Sequence, residues 1–283
     1  MGGHPRRIVA VGDNVVDCYT SRGSMFPGGN CVNVSVYAAR KGAQTAYVGA
    51  IAADEAGELI RSSLENEGVG TSRLRTIDGF TAYCRIGHVE GDRVFLDSAK
   101  GVSLFEPDAG DLRFIAGFDA VHVGDSSYLD AHLGAFAARA RLSYDFSDKK
   151  DRGLIEAIAP HCFLASFSGS GLTDAEAAAL AGLASTAGAQ WVLVTRGKYG
   201  AMLTDGETTW STEAMPATVV DTLGAGDTFI ARTLLGLLDA EHPDTALAEA
   251  ALAAAETCAQ HGAFGYGAPI RIAAPDEPAV RIP

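Results

Sequence analysis

The chain has 283 residues, 47% of them hydrophobic and 20% charged, with 22 Lys plus Arg against 35 Asp plus Glu and a net charge of −13. Such a composition can bury a large core, need not be disordered and suits one large α/β domain with a small accessory element. The acidic excess argues against duplex nucleic acid or an anionic membrane as partner, since both want a concentrated basic face, but it is compatible with one phosphorylated ligand held by backbone amides.

The opening MGGHPRRIVAVG has too short an apolar run for a signal-peptide core, and no stretch reaches the roughly 18 to 20 apolar residues of a membrane span. Five cysteines, Cys18, Cys31, Cys84, Cys162 and Cys258, show no CxxC pair or finger spacing and read as free buried thiols. A soluble, cytoplasmic protein is expected.

Short apolar, β-branched runs alternate with helical patterns along most of the chain. Strands are predicted at Ile8 to Val11, Thr45 to Ile51, Ala120 to Val123, Leu142 to Phe146, Cys162 to Ala165 and Trp191 to Thr195, as for parallel strands covered on both faces. Helices are predicted at Asn30 to Lys41, Asp54 to Glu67, Leu129 to Arg139 and Thr173 to Thr186, the last opened by a Thr173/Glu176 capping box. Two segments break the alternation: Val15 to Thr20 reads as a strand, and Phe80 to Asp97 as a hairpin turning at Glu90-Gly91-Asp92. Residues 14–27 and 78–101 are therefore expected to form a small β lid on a single domain spanning 1–283.

Further along, Ala201 to Leu203 and Thr208 to Trp210 read as a hairpin, Ala225 to Leu238 and Thr245 to His261 as helices, and Pro269 to Pro283 as an extended tail. The predicted fold class is α/β, a mostly parallel doubly wound sheet flanked by helices. Ligands of such sheets sit beyond the carboxyl ends of the strands.

The segment Asp221-Thr222-Leu223-Gly224-Ala225-Gly226-Asp227-Thr228-Phe229 follows the β-branched run Thr218-Val219-Val220 and opens a helix. A glycine-flanked loop at a helix start leaves backbone N–H groups aimed outward at the positive end of the helix dipole, an anion-binding cup. Asp227, in the first turn, either caps the helix or accepts a proton from a substrate hydroxyl. A valine at Gly226 is expected to meet phosphate and to demand a φ it cannot adopt. Upstream, Gly28 and Gly29 let the backbone approach a ligand, and Asn30 and Asn33 share a helix face with Tyr37, offering donors and acceptors to hydroxyls. Asp13 and Asp17 place carboxylates just after the first strand, and Thr195, Gly197 and Gly200 follow another strand in a pattern that can cradle phosphates.

Together, Pro27-Gly28-Gly29-Asn30-Cys31-Val32-Asn33, Val192 to Gly200 and Asp221 to Phe229 resemble the motifs of the PfkB (ribokinase-like) family of carbohydrate kinases, with likeness from Ile8 to about Gly267. The resemblance implies a ribokinase-like fold and ATP-dependent phosphorylation of a primary hydroxyl on a sugar-like substrate. It also implies Mg2+, with a monovalent cation as an accessory ion, and a homodimer joined through the lid. It casts Asp227 as base beside Gly224, Ala225 and Gly226. Asp17, Asp13, Gly28, Gly29, Asn30, Asn33 and Arg93 go to the acceptor, and Thr195, Gly197, Gly200 and His261 to the nucleotide.

One departure is plain. Where many members carry N-x-x-E, this chain has Ser166-Phe167-Ser168-Gly169, leaving the metal ligands open between Asp174, Glu176 and water. The segments GDNVVD, GGNCVNVSVYAAR, Asp92 to Phe95 and Asp145-Phe146-Ser147-Asp148-Lys149 are similar to the fructosamine-phosphorylating members, which implies the 6-hydroxyl of a fructosamine such as fructoselysine as acceptor. The alternatives are a kinase of a plain sugar or nucleoside and a catalytically silent sugar-binding protein.

Overall fold

The computed structural model describes residues 4–89, 92–272 and 280–281. The chain begins with β1 (Arg7–Val11), β2 (Val15–Tyr19), β3 (Ser24–Gly28) and helix α1 (Asn30–Arg40). Next come β4 (Gln44–Ile51), α2 (Glu55–Asn66), β5 (Gly70–Thr76) and the pair β6 (Tyr83–Val89) and β7 (Asp92–Ala99). The middle alternates α3 (Ala109–Ile115), β8 (Ala120–Gly124), α4 (Leu133–Ala137), β9 (Arg141–Asp145), α5 (Arg152–Ile158), β10 (Cys162–Ser168), α6 (Asp174–Ala187) and β11 (Trp191–Thr195). The chain then forms β12 (Ala201–Thr204), β13 (Thr209–Thr212), α7 (Ala225–Leu238), α8 (Pro243–Thr257), β14 (Ala268–Pro269) and β15 (Val280–Arg281).

The main sheet runs β13-β12-β11-β10-β9-β8-β1-β4-β5, parallel from β11 to β5 and antiparallel at β12 and β13. Both faces are covered. Ile8 and Ala10 of β1 pack into the core shared with α1, α2, α7 and α8, whereas Val9 and Val11 pack into the core shared with α3 to α6. That two-sided burial explains why these strands read as unbroken apolar runs. Chain order reverses at β1, which lies between β4 and β8, so the crevice beyond the carboxyl ends of β1 and β8 is the topological switch point. A second, smaller sheet, β14-β3-β2-β6-β7-β15, stands at this end.

Several expectations need correction. Leu129 to Arg139 is not one helix but a 3-10 turn at Asp130–His132 followed by the short α4. The preceding Tyr128 is left-handed, with φ 55°, and the chain must already re-enter β9 at Arg141. The helix expected to end at His261 stops at Thr257 and starts at Pro243, where a first-turn proline costs no hydrogen bond. Several elements were not predicted, among them the two-turn α5, whose Asp151 cap accepts the Leu154 N–H. β3 contains Pro27 and Gly28, poor strand formers; β5 is a mostly exposed edge strand with charged residues; and α3 is only two turns long, secured by a reciprocal Asp108/Asp111 capping box. The β6–β7 hairpin is present, with Glu90 and Gly91 of its turn outside the described residues. Of the expected tail, Ala268–Pro269 pairs with β3 and Val280–Arg281 with β7; residues 273–279 and 282–283 lie outside the described set. Among the described residues no helix is long and apolar enough to cross a membrane.

Candidate active site

The site begins where β1 ends. Helix α1 has no side-chain cap of its own, because its N-cap is Gly29 at φ 104°. Asp13 serves instead: its carboxylate accepts the Asn30 N–H at 2.9 Å, the Cys31 N–H at 3.3 Å and the Ser127 hydroxyl at 3.2 Å. An anion at a helix N-terminus is stabilised by both the amides and the dipole. Asp13 lines the cavity described below, and both of its carboxylate oxygens also take part in anchoring α1. The two glycines are steric requirements. A Cβ on Gly29 would lie 2.8 Å from the Asn14 Cα, and one on Gly28 would lie 2.4 Å from Asp17 Oδ2.

Helix α1 then presents Asn30 and Asn33 to Asp227 in the first turn of α7, the two helices being packed together. Asn30 Nδ2 donates to Asp227 Oδ1 at 2.8 Å and to Asp145 Oδ2, at the end of β9, at 2.9 Å. Asn33 Nδ2 donates to Asp227 Oδ2 at 2.6 Å. Burial pushes Asp227 up to about 6, opposed by the Asn33 and Asn30 amides. Burial, and next the charge of Asp227, push Asp145 up to about 7. Two carboxylates sharing one amide donor in a desolvated place resist double ionisation.

Asn30, Asn33 and Asp227, but not Asp145, line a cavity of about 260 Å³. Asp17, Cys84 and Lys100, from the second sheet and its continuation, line it as well. Asp17 is 5% exposed. Asn14 and Asn33 also line the cavity, and each keeps a buried side-chain oxygen without a hydrogen-bond partner.

No side chain caps α7 either. Gly224 stands at its N-cap with φ 80°, and a Cβ there would approach the Ala263 Cβ to 2.8 Å. Gly226 differs from the expectation: its φ is not positive and a Cβ would meet nothing within 4 Å. The space a Gly226 side chain would enter is therefore open. We expect Gly226→Val to melt close to the parent while losing turnover, and Gly224→Val to lose about 1–3 kcal/mol of stability through forced strain. Thermal melts and turnover of both variants check this.

The cavity thus unites Asp13, Asp17, Gly29, Asn30, Asn33 and Asp227; Gly28 backs Asp17 from behind. The remaining candidates lie elsewhere. Thr195 ends β11, with its hydroxyl on the Phe167 carbonyl at 3.4 Å. Gly197 and Gly200 bracket the following 3-10 turn with φ 56° and 81°; a Cβ on Gly200 would strike the Thr212 carbonyl oxygen at 1.9 Å, whereas Gly197 faces open space. His261 is half-buried in the loop after α8, beside Gly262, whose N–H donates to Asp221 Oδ2 at 3.1 Å. Arg93 lies on β7 opposite His88, its side chain outside the described set. Tyr37, expected to face hydroxyls, instead donates to the Ala263 carbonyl away from the cavity.

For the missing N-x-x-E, neither acidic substitute is well placed. Asp174 pairs with Arg196, and Glu176 is held by the N–H and hydroxyl of Thr173 in the α6 capping box. Among the described residues no group of three or more His, Cys, Asp or Glu could hold a metal ion. Sequence reasoning gave no role to Asn14, Cys84, Lys100 or His122. Asn14 and Asp145 did stand in marked segments, GDNVVD and Asp145 to Lys149, but without an assigned part.

The sequence pattern of the pfkB family carbohydrate kinases matches residues 6–269. The chain belongs to this family. It is an ATP-dependent sugar kinase by that membership, with the fold to match. Fructosamine kinase FrlD of Bacillus subtilis (strain 168) is 36% identical over 274 residues, 94% of this chain and 95% of that protein. Fructoselysine 6-kinase of Shigella flexneri is 36% identical over 262 residues, 92% and 100%. Arabidopsis thaliana ribokinase complexed with ribose and ATP superimposes with a TM-score of 0.81 at 20% identity, covering 92% of this chain and 95% of that one; at that identity it supports the fold alone.

Proposed function

We propose that this sugar kinase transfers the γ-phosphoryl group of ATP to the 6-hydroxyl of a fructosamine such as fructoselysine. The observation that carries the chemistry is Asp227: a buried carboxylate lining the cavity, in the first turn of an uncapped helix, fixed by two asparagine amides. Its ordinary carboxylate pKa raised to about 6 leaves it ionised at neutral pH yet more basic than a surface aspartate. Asp227 takes the hydroxyl proton as that oxygen attacks the γ-phosphorus, and the bond from the γ-phosphorus to the β–γ bridging oxygen breaks to release ADP. The amides of Gly224, Ala225 and Gly226, with the α7 dipole, bear on the charge that develops.

Asp17 orients acceptor hydroxyls in the same cavity, with Asn33 beside the base. Asn30 takes a different part from the one first assigned. Both its N–H donors are used by the two carboxylates and its oxygen by His122, so it holds the base rather than the sugar. Thr195, Gly197, Gly200 and His261 serve the nucleotide in this reading. The second sheet is the lid that excludes water. The substrate class rests on the fructosamine and fructoselysine kinases that are 36% identical over nearly the whole chain. Mg2+ bound with the nucleotide would supply neutralisation of phosphate charge; among the described residues no cluster of three or more His, Cys, Asp or Glu would hold it apart from the nucleotide. A monovalent accessory ion, a homodimer through the second sheet and a cytoplasmic location complete the proposal.

A coupled ADP-release assay over fructoselysine, fructose and ribose tests it. The largest kcat/KM is expected for fructoselysine; a preference for ribose or fructose would replace the substrate assignment while leaving the kinase. Since the base must be ionised, kcat/KM is expected to fall as pH drops through about 6 and to hold above it. A pH–rate profile flat from 5 to 8 would contradict the assigned base.

A further inference from the structure

Asn30 steers Asp227, and something must steer Asn30. Its Nδ2 faces two carboxylate oxygens, from Asp145 and Asp227, so that end must carry the NH2 group and the oxygen must point the other way. There it meets His122 Nε2 at 2.8 Å. An amide oxygen only accepts, so Nε2 carries the proton, and Nδ1 is left to accept from the Ser143 hydroxyl at 3.0 Å. Both His122 and Ser143 are 0% exposed. Gly124, two residues along β8, clears the room: a Cβ there would lie 2.3 Å from Asn30 Oδ1.

We propose that His122, with its tautomer set by Ser143, is a positioning residue for the phosphoryl-transfer base, acting through the orientation of Asn30. The proposal rests on Asp227 being that base. Burial depresses the His122 pKa to about 3, which keeps the ring neutral and the single Nε2 proton directed at Asn30. Reversing the Asn30 amide would set its oxygen against two carboxylates and its NH2 against the Nε2 proton. The chain Ser143–His122–Asn30–Asp227 therefore admits one arrangement, and that arrangement presents an ionised carboxylate at a fixed place in the cavity. A histidine serving only to fill the core would not need its two ring nitrogens matched to a donor on one side and an amide oxygen on the other.

The test compares His122→Leu, His122→Gln and Ser143→Ala in the full chain, reading kcat, KM for sugar and for ATP, the pH profile of kcat/KM, and the melting temperature. In His122→Leu we expect kcat to fall roughly 10- to 100-fold with KM for ATP unchanged, since a misoriented group near the chemistry acts on turnover. Its acid limb should move to higher pH, because Asp227 loses an amide that holds its pKa down. The charged group bearing on Asp227 is Asp13; Asp145, on which Asp227 and Asp125 act, shares Asn30 with it, and Asp17 and Lys100 line the same cavity; all are unaltered in these variants.

Glutamine carries one donor and one acceptor, so His122→Gln should recover most of the lost turnover and the parent limb. Ser143→Ala should move the limb in the same direction as His122→Leu but less, and it decides the matter if His122→Leu does not fold. An unmoved limb in His122→Leu or, failing that variant, in Ser143→Ala overturns the proposal, as does a glutamine variant as slow as the leucine one. Asp227→Asn run alongside separates the two readings: an active Asp227→Asn removes the base itself, whereas an inactive one beside unshifted His122 variants removes only the role of His122.

Discussion

Asp227→Asn is expected to lower turnover by at least roughly 10²-fold while nucleotide affinity changes little. The substitution keeps size and removes the proton acceptor. It also sets a new NH2 group against the amides of Asn30 and Asn33, which donate to the two Asp227 oxygens at 2.8 and 2.6 Å, so the loss should exceed that of a base exposed to water and free to be replaced by it. Single-turnover phosphate transfer and ATP titration on the variant check both halves. Parent-like turnover would remove Asp227 from the chemistry and leave it as the first-turn acid of α7.

Asp17→Ala is the second large effect. Asp17 sits on β2 at 5% exposure and reaches the cavity wall, with Gly28 across β3 leaving the space its carboxylate occupies. Hydrogen bonds from hydroxyls to a charged group are worth about 1.5–3 kcal/mol, and losing them weakens binding and positioning together. A fall of roughly 10- to 100-fold in kcat/KM for the sugar is expected with ATP affinity nearly unchanged. If Asp17 only supported the strand, the melting temperature would drop and the sugar kinetics would not.

Legibility in the sequence tracked how local the deciding physics is. Helix α7 was predicted residue for residue because one segment contains its αL N-cap, its first-turn acid and its apolar face. The buried parallel strands were legible as continuous apolar runs because both their faces meet helices. β3 was not, since its pairing to β2 is decided by tertiary context rather than by Pro27-Gly28. Within the site, the glycines and Asp227 stood out from motif alone, but what each atom does could not be read locally. Asp13 anchors a helix 17 residues on. Asn30 turns from sugar ligand to keeper of the base because Asp145 and Asp227, 115 and 197 residues away, both reach its amide. Gly226 has an ordinary φ and open space where a side chain would stand, which the motif alone did not tell. His122 left no sequence signal at all, being a lone histidine in an apolar strand whose importance depends on Asn30 and Ser143 meeting it from different elements.

The most direct test of the central claim is a crystal structure of the protein with fructoselysine and a non-hydrolysable ATP analogue. The account predicts the acceptor in the cavity between Asp17 and Asp227, with its 6-hydroxyl within hydrogen-bond reach of the Asp227 carboxylate and the γ-phosphate before the amides of Ala225 and Gly226. An acceptor bound elsewhere, or triphosphate distant from the start of α7, would contradict it.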